Sequence, residues 1–268
     1  MARFLKPPDL FKAVPFVHVA VNTTVDLALA EPLTAAGGTQ LGVYPYSAHI
    51  VEVMPGADQQ TVSGDGLVRF QVKGRQQGIS MLFARLGGPQ GPPWGETQVI
   101  VETVLTTTRM PAKIAQRTPW LCWAAATESF MQLQPFGRRP SQDELREEFA
   151  TWADGALEPG PGPDYPPERT AEALFGTFGF EVTVVTRSNL AARPGVVTDQ
   201  IRRDRAVILV YNRGAHDSHA VVVYGVRNPP PPYQDTLMVM NPENGARYDE
   251  MKLADLARIS QIAVAWMN

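Results

Sequence analysis

The sequence is poor in the features that most readily assign a protein to a class. It has one cysteine in 268 residues, Cys122. That excludes an intrachain disulfide framework and any zinc site built from several cysteines, and it leaves a lone thiol that is either reactive or buried. No apolar run approaches the ~18–20 residues of a membrane span, so membrane insertion is not expected. The opening MARFLKPPDLFKAVPF lacks a continuous apolar core and does not read as a Sec signal peptide. The chain is therefore expected to be soluble, and both a cytoplasmic location and export by a signal-less route fit it. The formal net charge is only −3. Lysine and arginine are scattered rather than massed, which argues against nucleic acid as a partner.

What is present divides into two textures. From residue 14 to about residue 105, short apolar or alternating runs are separated by Gly, Pro, Asn and Asp: VPFVHVAV, VDLALA, TQLGVYPY, HIVEVMPG, GLVRFQVKG, GISMLFARL and TQVIVETVL. Seven such runs at fairly regular spacing, with almost no helical periodicity, predict an antiparallel, immunoglobulin-like β-sandwich over residues 1–105. His18 and His49 fall on predicted strands and read as structural or surface residues rather than ligands. No catalytic cluster stands out in this half, so the sandwich is expected to be an accessory domain with a possible docking partner.

After about residue 106 the texture turns helical and then returns to strand. A helix is predicted from near Cys122 to about Gln134. A second starts at Pro140-Ser-Gln-Asp-Glu144, where Ser141 and Glu144 have capping-box spacing. ADGALEPGPGPDYPP reads as a loop, residues 167–178 as a short helix, FEVTVV as a strand, and residues 196–203 as a helix. AVILVYN, SHAVVVYGV, TLMVMN and ISQIAVAWM then predict a sheet, with PPPP at 229–232 as a polyproline connection. Residues 106–268 thus form an α+β domain with leading helices on a trailing antiparallel sheet.

The chemistry, where the sequence carries any, centres on the run from Gln116 to Phe130. Pro119 does not suit a helix interior, whereas Ala124, Ala125 and Ala126 favour helix, so Cys122 falls in a first turn. A helix N-terminus favours thiolate over thiol and can bind an oxyanion. A thiol nucleophile also needs a base and a group that orients the base. In this half the histidines are His216, in a polar turn, and His219, at the head of a strand; His219 is the better base. Asn241 ends the strand LMVM and is the better orienting group, ahead of Asp217 and Asp235. Cys122, His216 and His219 lack the spacing and the further ligand of a zinc site, so no metal and no cofactor is expected. Trp120 and Trp123 read by default as core.

Taken jointly, these residues resemble the papain-like cysteine peptidases over about residues 109–268. Gln116 lies six positions before Cys122-Trp123-Ala124, and His219-Ala220-Val221 is followed by Gly225 six positions after the histidine. Val-Met-Asn241-Pro242 supplies the third block. The form of these blocks looks most like two bacterial groups, the double-glycine leader peptidase-like proteins and the plant-pathogen effector proteases. Many of those carry Asp before the proline; here it is Asn, as in papain. The resemblance implies a hydrolase cleaving a protein or peptide substrate through Cys122, His219 and Asn241, with Gln116 assisting the oxyanion hole, in a secreted or effector-type bacterial peptidase. A peptidoglycan amidase, deamidase or acyltransferase on the same triad, and a non-catalytic binding protein on a degenerate scaffold, are the alternatives.

Overall fold

The computed structural model describes residues 3–6, 9–13, 16–30, 41–56, 67–91, 93–119, 121–134, 137–152, 179–186, 195–214, 217–256 and 261–267. Strand predominates over helix, and the chain divides into two compact units. One holds Met1–Val104 with Asn228–Tyr233, and the other Leu105–Arg227 with Gln234–Asn268.

The first unit contains strands β1 (Arg3–Lys6), β2 (Asp9–Ala13), β3 (Phe16–Ala20), β4 (Thr24–Ala30), β5 (Leu41–Pro45), β6 (Val51–Met54), β7 (Val68–Gly74), β8 (Gly78–Leu86) and most of β9 (Pro93–Thr106). One sheet has the order β2-β1-β4-β7-β6, and in the other β9 lies between β3 and β8, with β5 beyond β8. A single buried cluster takes Leu27, Val53 and Phe70 from the first sheet and Val19, Leu82 and Val99 from the second. β7 shows why the alternating pattern was legible: Val68, Phe70 and Val72 are buried while Arg69 and Gln71 are exposed, the period of a sheet with one wet face.

Three features depart from expectation. β3 pairs with β9 in parallel, so the unit is not purely antiparallel. β1 and β2 precede the first predicted strand; they are short and carry Lys6, Asp9 and Lys12, the composition of strands near a sheet edge. His49 sits in the exposed turn between β5 and β6 rather than on a strand.

The second unit opens with helices α1 (Cys122–Leu133) and α2 (Gln142–Trp152), and continues with β10 (Glu181–Thr186), α3 (Gly195–Arg202), β11 (Val207–Gly214), β12 (Asp217–Asn228), β13 (Thr236–Asn241), β14 (Arg247–Lys252), α4 (Leu253–Leu256) and β15 (Gln261–Trp266). The strands run β10-β15-β11-β12-β13-β14, and every one of these pairings is antiparallel. The sheet is buried on both faces. Ile208, Val210, Ala220 and Val222 share a cluster with Cys122, Ala126 and Phe130 of α1. Their chain neighbours Val207, Leu209, Val221 and Val223 join Val197 and Ile201 of α3 in another. Two-sided burial explains why these strands read as unbroken apolar runs rather than alternating ones.

The predicted capping box forms at α2: Ser141 N–H and Oγ–H donate to Glu144 Oε2 at 2.7 and 2.9 Å, and Glu144 N–H returns to Ser141 Oγ at 3.4 Å. These bonds, the backbone one first, hold the Glu144 carboxyl below the usual range. The helix predicted at 167–178 and the loop from residue 153 lie outside the described residues. The proline run at 229–232 closes as a turn, with Tyr233 N–H donating to Pro230 O at 3.1 Å, instead of extending as polyproline. β14, RYDEMK, escaped prediction because it is a largely exposed edge strand without an apolar pattern.

Candidate active site

Cys122 is the first residue of α1 and is 6% exposed. Leu121 precedes the helix without a side-chain cap, and the first turn has no acidic residue, so nothing of that kind offsets the positive end of the macrodipole at the sulfur. The alanines behind it explain the depth. Ala124, Ala125 and Ala126 are fully buried, and small side chains let the helix seat closely among its neighbours. Ser129 Oγ–H donates to Ala112 O at 2.7 Å, tying α1 to the segment that leads into it.

His219 lies near the start of β12 and is 1% exposed. Its Nε2 is 3.0 Å from Asn241 Oδ1 at the end of β13, the neighbouring strand. The orientation of the Asn241 amide follows from its other partners. Oδ1 also accepts from Glu243 N–H at 3.1 Å, and Nδ2 donates to the Asp249 carboxylate at 3.2 Å. A backbone N–H can only donate and a carboxylate only accept, so Oδ1 must face the histidine. His219 therefore carries its proton on Nε2 in the neutral ring, and Nδ1 holds the lone pair. Tyr211 meets the ring edge to face at 5.7 Å. Cys122 shares its buried cluster with Ala220 and Met240, the chain neighbours of His219 and Asn241.

Gln116 stands beside the same strand end: its backbone N–H donates to Pro242 O at 3.0 Å. Its side-chain Oε1 is buried with no hydrogen-bond partner among the described residues. The segment is held from below by Gln142, 3% exposed, which donates to Ala115 O at 2.9 Å and accepts from Arg117 N–H at 3.1 Å. One carboxamide thus grips the residues on both sides of Gln116.

Gln142, Asp249 and Glu243 were not singled out by sequence reasoning. Gln142 looks like a solvent-facing residue in a first helical turn, and Asp249 belongs to the unpredicted β14. Glu243 Oε1 is 3.9 Å from His219 Nδ1. Asp249 in turn receives Arg247 Nε–H at 2.6 Å, and that bond holds the Arg247 guanidinium above its ordinary range.

Of the rival residues, Asp235 falls elsewhere. Asp235 precedes Thr236, which pairs with Arg227, at the end of β13 opposite Asn241 and roughly 20 Å away along the strand. Asp217 lies on β12, its side chain outside the described set, and His216 and Trp120 lie outside the described residues. Trp123 packs against the clusters around α1. Gly225 has a packing role: a Cβ there would stand 2.9 Å from Leu105 O and 3.0 Å from Met238 Sδ. His18, in the first unit, sits 3.4 Å from the buried Glu102 carboxylate. Among the described residues no group of three or more His, Cys, Asp or Glu side chains could hold a metal ion, and no helix is long and apolar enough to cross a membrane.

No protein-family model matches the chain, and no curated protein does. Among solved structures, domains 4 and 5 of the S-layer protein SbsC align at 14% identity and a TM-score of 0.24, over 33% of this chain and 47% of that one. The longer rSbsC(31-844) aligns at 12% identity and a TM-score of 0.25, over 89% of this chain and 24% of that one. The chain spans less than half the length of either, and likeness at this level carries no inference about it.

Proposed function

We propose that this chain is a papain-like cysteine peptidase that hydrolyses peptide bonds through Cys122, His219 and Asn241. The observation that carries the reading is the pinned Asn241 amide, because it commits Nε2 of His219 and leaves Nδ1 as the nitrogen that changes protonation. A neutral Asn in place of a carboxylate orients the ring without charge, and Asp249 behind it holds the Asn in turn. α1 on one face of the sheet, with Cys122 at its start, and the adjoining ends of β12 and β13, which carry His219 and Asn241, support that reading. In this proposal the first unit is an accessory immunoglobulin-like β-sandwich.

In the reaction His219 Nδ1 takes the proton of the Cys122 thiol, and the thiolate attacks the amide carbonyl carbon, forming a C–S bond and an oxyanion. The Cys122 backbone N–H and the Gln116 carboxamide stabilise that oxyanion; one such donor is commonly worth about 3–4 kcal/mol. Collapse breaks the C–N bond, and the imidazolium passes its proton to the departing amine. Water, deprotonated by His219, then attacks the thioester; the C–S bond breaks, the acid leaves and the thiol is restored. Turnover of peptide substrates by wild type, Cys122→Ala and His219→Ala tests this. Loss of turnover in both variants is expected, and equal rates in all three overturn it.

A further inference from the structure

We infer that Gln142, the first residue of α2, is a positioning residue for the oxyanion hole: its buried carboxamide holds the Gln116 donor in place against the Cys122 backbone N–H. The inference rests on the peptidase reading and extends it to a residue that acts only through others. Gln142 is 3% exposed, whereas Asp143 and Glu144, beside it in the same helical turn, face solvent. Burying a carboxamide is costly unless it is hydrogen-bonded, and here both its nitrogen and its oxygen are. Nε2–H donates to Ala115 O at 2.9 Å, and Oε1 accepts Arg117 N–H at 3.1 Å. A carbonyl only accepts and a backbone N–H only donates, so among side chains of this length only a primary carboxamide makes both bonds at neutral pH.

The two bonds fall on the two peptide groups that flank Gln116, and Gln116 N–H itself donates to Pro242 O at 3.0 Å. The backbone at Gln116 is therefore fixed from two sides, by α2 and by the chain just after Asn241. Its side chain has no such tie at the oxygen, because Oε1 is buried without a hydrogen-bond partner among the described residues. A carboxamide not held by its own oxygen takes its place from the backbone that carries it. Gln142 also reaches the helix of the other donor. Its N–H, one of the groups a helix start leaves unsatisfied, donates to Glu128 Oε2 at 3.1 Å, on α1 six residues after Cys122. Leu145 of α2, fully buried, packs with Leu121 and Ala124 at the start of α1. One residue thus fastens the segment that carries one oxyanion donor to the helix that carries the other. Two donors serve one oxygen only at a fixed spacing, and a misplacement of about 1 Å can cost about 10²-fold in rate.

The test uses the full chain with a peptide substrate, a peptide aldehyde whose adduct with Cys122 places an oxygen at the oxyanion position, and iodoacetamide, which alkylates the thiolate without forming an oxyanion. Gln142→Ala is expected to lower kcat about 10–100-fold with KM within about twofold, and to weaken aldehyde inhibition at least about fivefold. Iodoacetamide is expected to alkylate Cys122 in that variant at the wild-type rate. Gln142→Glu, nearly isosteric, regains the bond to Ala115 O only when its carboxyl is protonated. The charged groups around it are Glu128 from α1, Arg117 from the clamped segment, and Asp143 and Glu144 of its own helix. Its kcat relative to wild type is therefore expected to rise as pH falls, and this ratio decides the matter if Gln142→Ala does not fold. Wild-type kcat and aldehyde inhibition in folded Gln142→Ala, or a flat ratio for Gln142→Glu, overturns the inference and leaves the peptidase reading standing. A parallel loss of turnover and alkylation also overturns it, since that marks a collapsed site rather than a displaced donor. No cleavage by wild type, together with no labelling of Cys122 by a thiol-reactive peptide probe, overturns both.

Discussion

Each unit of this protein sets a histidine on a strand beside a polar partner, and the two histidines differ in almost everything else. His18 lies 3.4 Å from Glu102 with a third of its side chain exposed. His219 lies 3.0 Å from Asn241, is 1% exposed, and its partner is gripped by Glu243 N–H and Asp249. The surroundings account for the difference. β3, which carries His18, alternates buried positions with exposed or half-buried ones, as a sheet with a wet face does. The strands around His219 belong to a sheet with α1 on one face and α3 on the other. A histidine and a polar partner in contact do not make a site. A site needs burial that strengthens electrostatics, a chain of partners that fixes tautomer and direction, and a nucleophile nearby.

The sharpest way to break this contrast is to remove the proposed nucleophile. Cys122→Ala is expected to lower kcat/KM at least about 10³-fold, whereas His18→Ala leaves turnover unchanged; peptide kinetics on the two variants compares the units directly. Leu27→Ala, in the core of the first unit, is expected to cost about 2–5 kcal/mol in denaturant unfolding. Asn241→Ala frees the ring of His219 and is expected to reduce kcat about 10–100-fold. Asp249→Ala acts one step further out. A fall of about tenfold, partly restored by Asp249→Asn, which can still accept from Asn241 Nδ2, separates loss of orientation from loss of charge. The smallest effect belongs to α2: Ser141→Ala is expected to cost about 1 kcal/mol of stability through the lost cap. The Glu144 carboxyl, lowered in the folded state, contributes stability that is present above its unfolded pKa and lost as pH falls through its folded one. Unfolding of Ser141→Ala should therefore respond less to acid than that of wild type.

The legible part of the fold was the part with a period. β3 to β9 follow the seven runs in order, α1 begins at Cys122, and α2 carries the predicted capping box. Where apolar pattern was absent the reading failed. β1 and β2 are short charged strands, β14 is an exposed edge, and the four prolines turn rather than extend. The parallel pairing of β3 with β9 joins segments about 80 residues apart, and no local signal encodes partner direction. At the candidate site the same division holds. Gln116, Cys122, His219 and Asn241 stand out by residue type and spacing, while Gln142, Asp249 and Glu243 are ordinary polar residues until the chain closes around them.

The sequence by itself determined which of the patterned segments become strand or helix, and that the only thiol begins a helix, because both follow from side-chain period and backbone preference within a few residues. Tertiary structure alone decided that His219 and Asn241, 22 residues apart, share a hydrogen bond, that Asp249 fixes which end of the amide faces the ring, and that Glu243 Oε1 stands 3.9 Å from His219 Nδ1. Those facts depend on strand register and loop path. Both are settled by packing between distant segments, which leaves no trace in local composition.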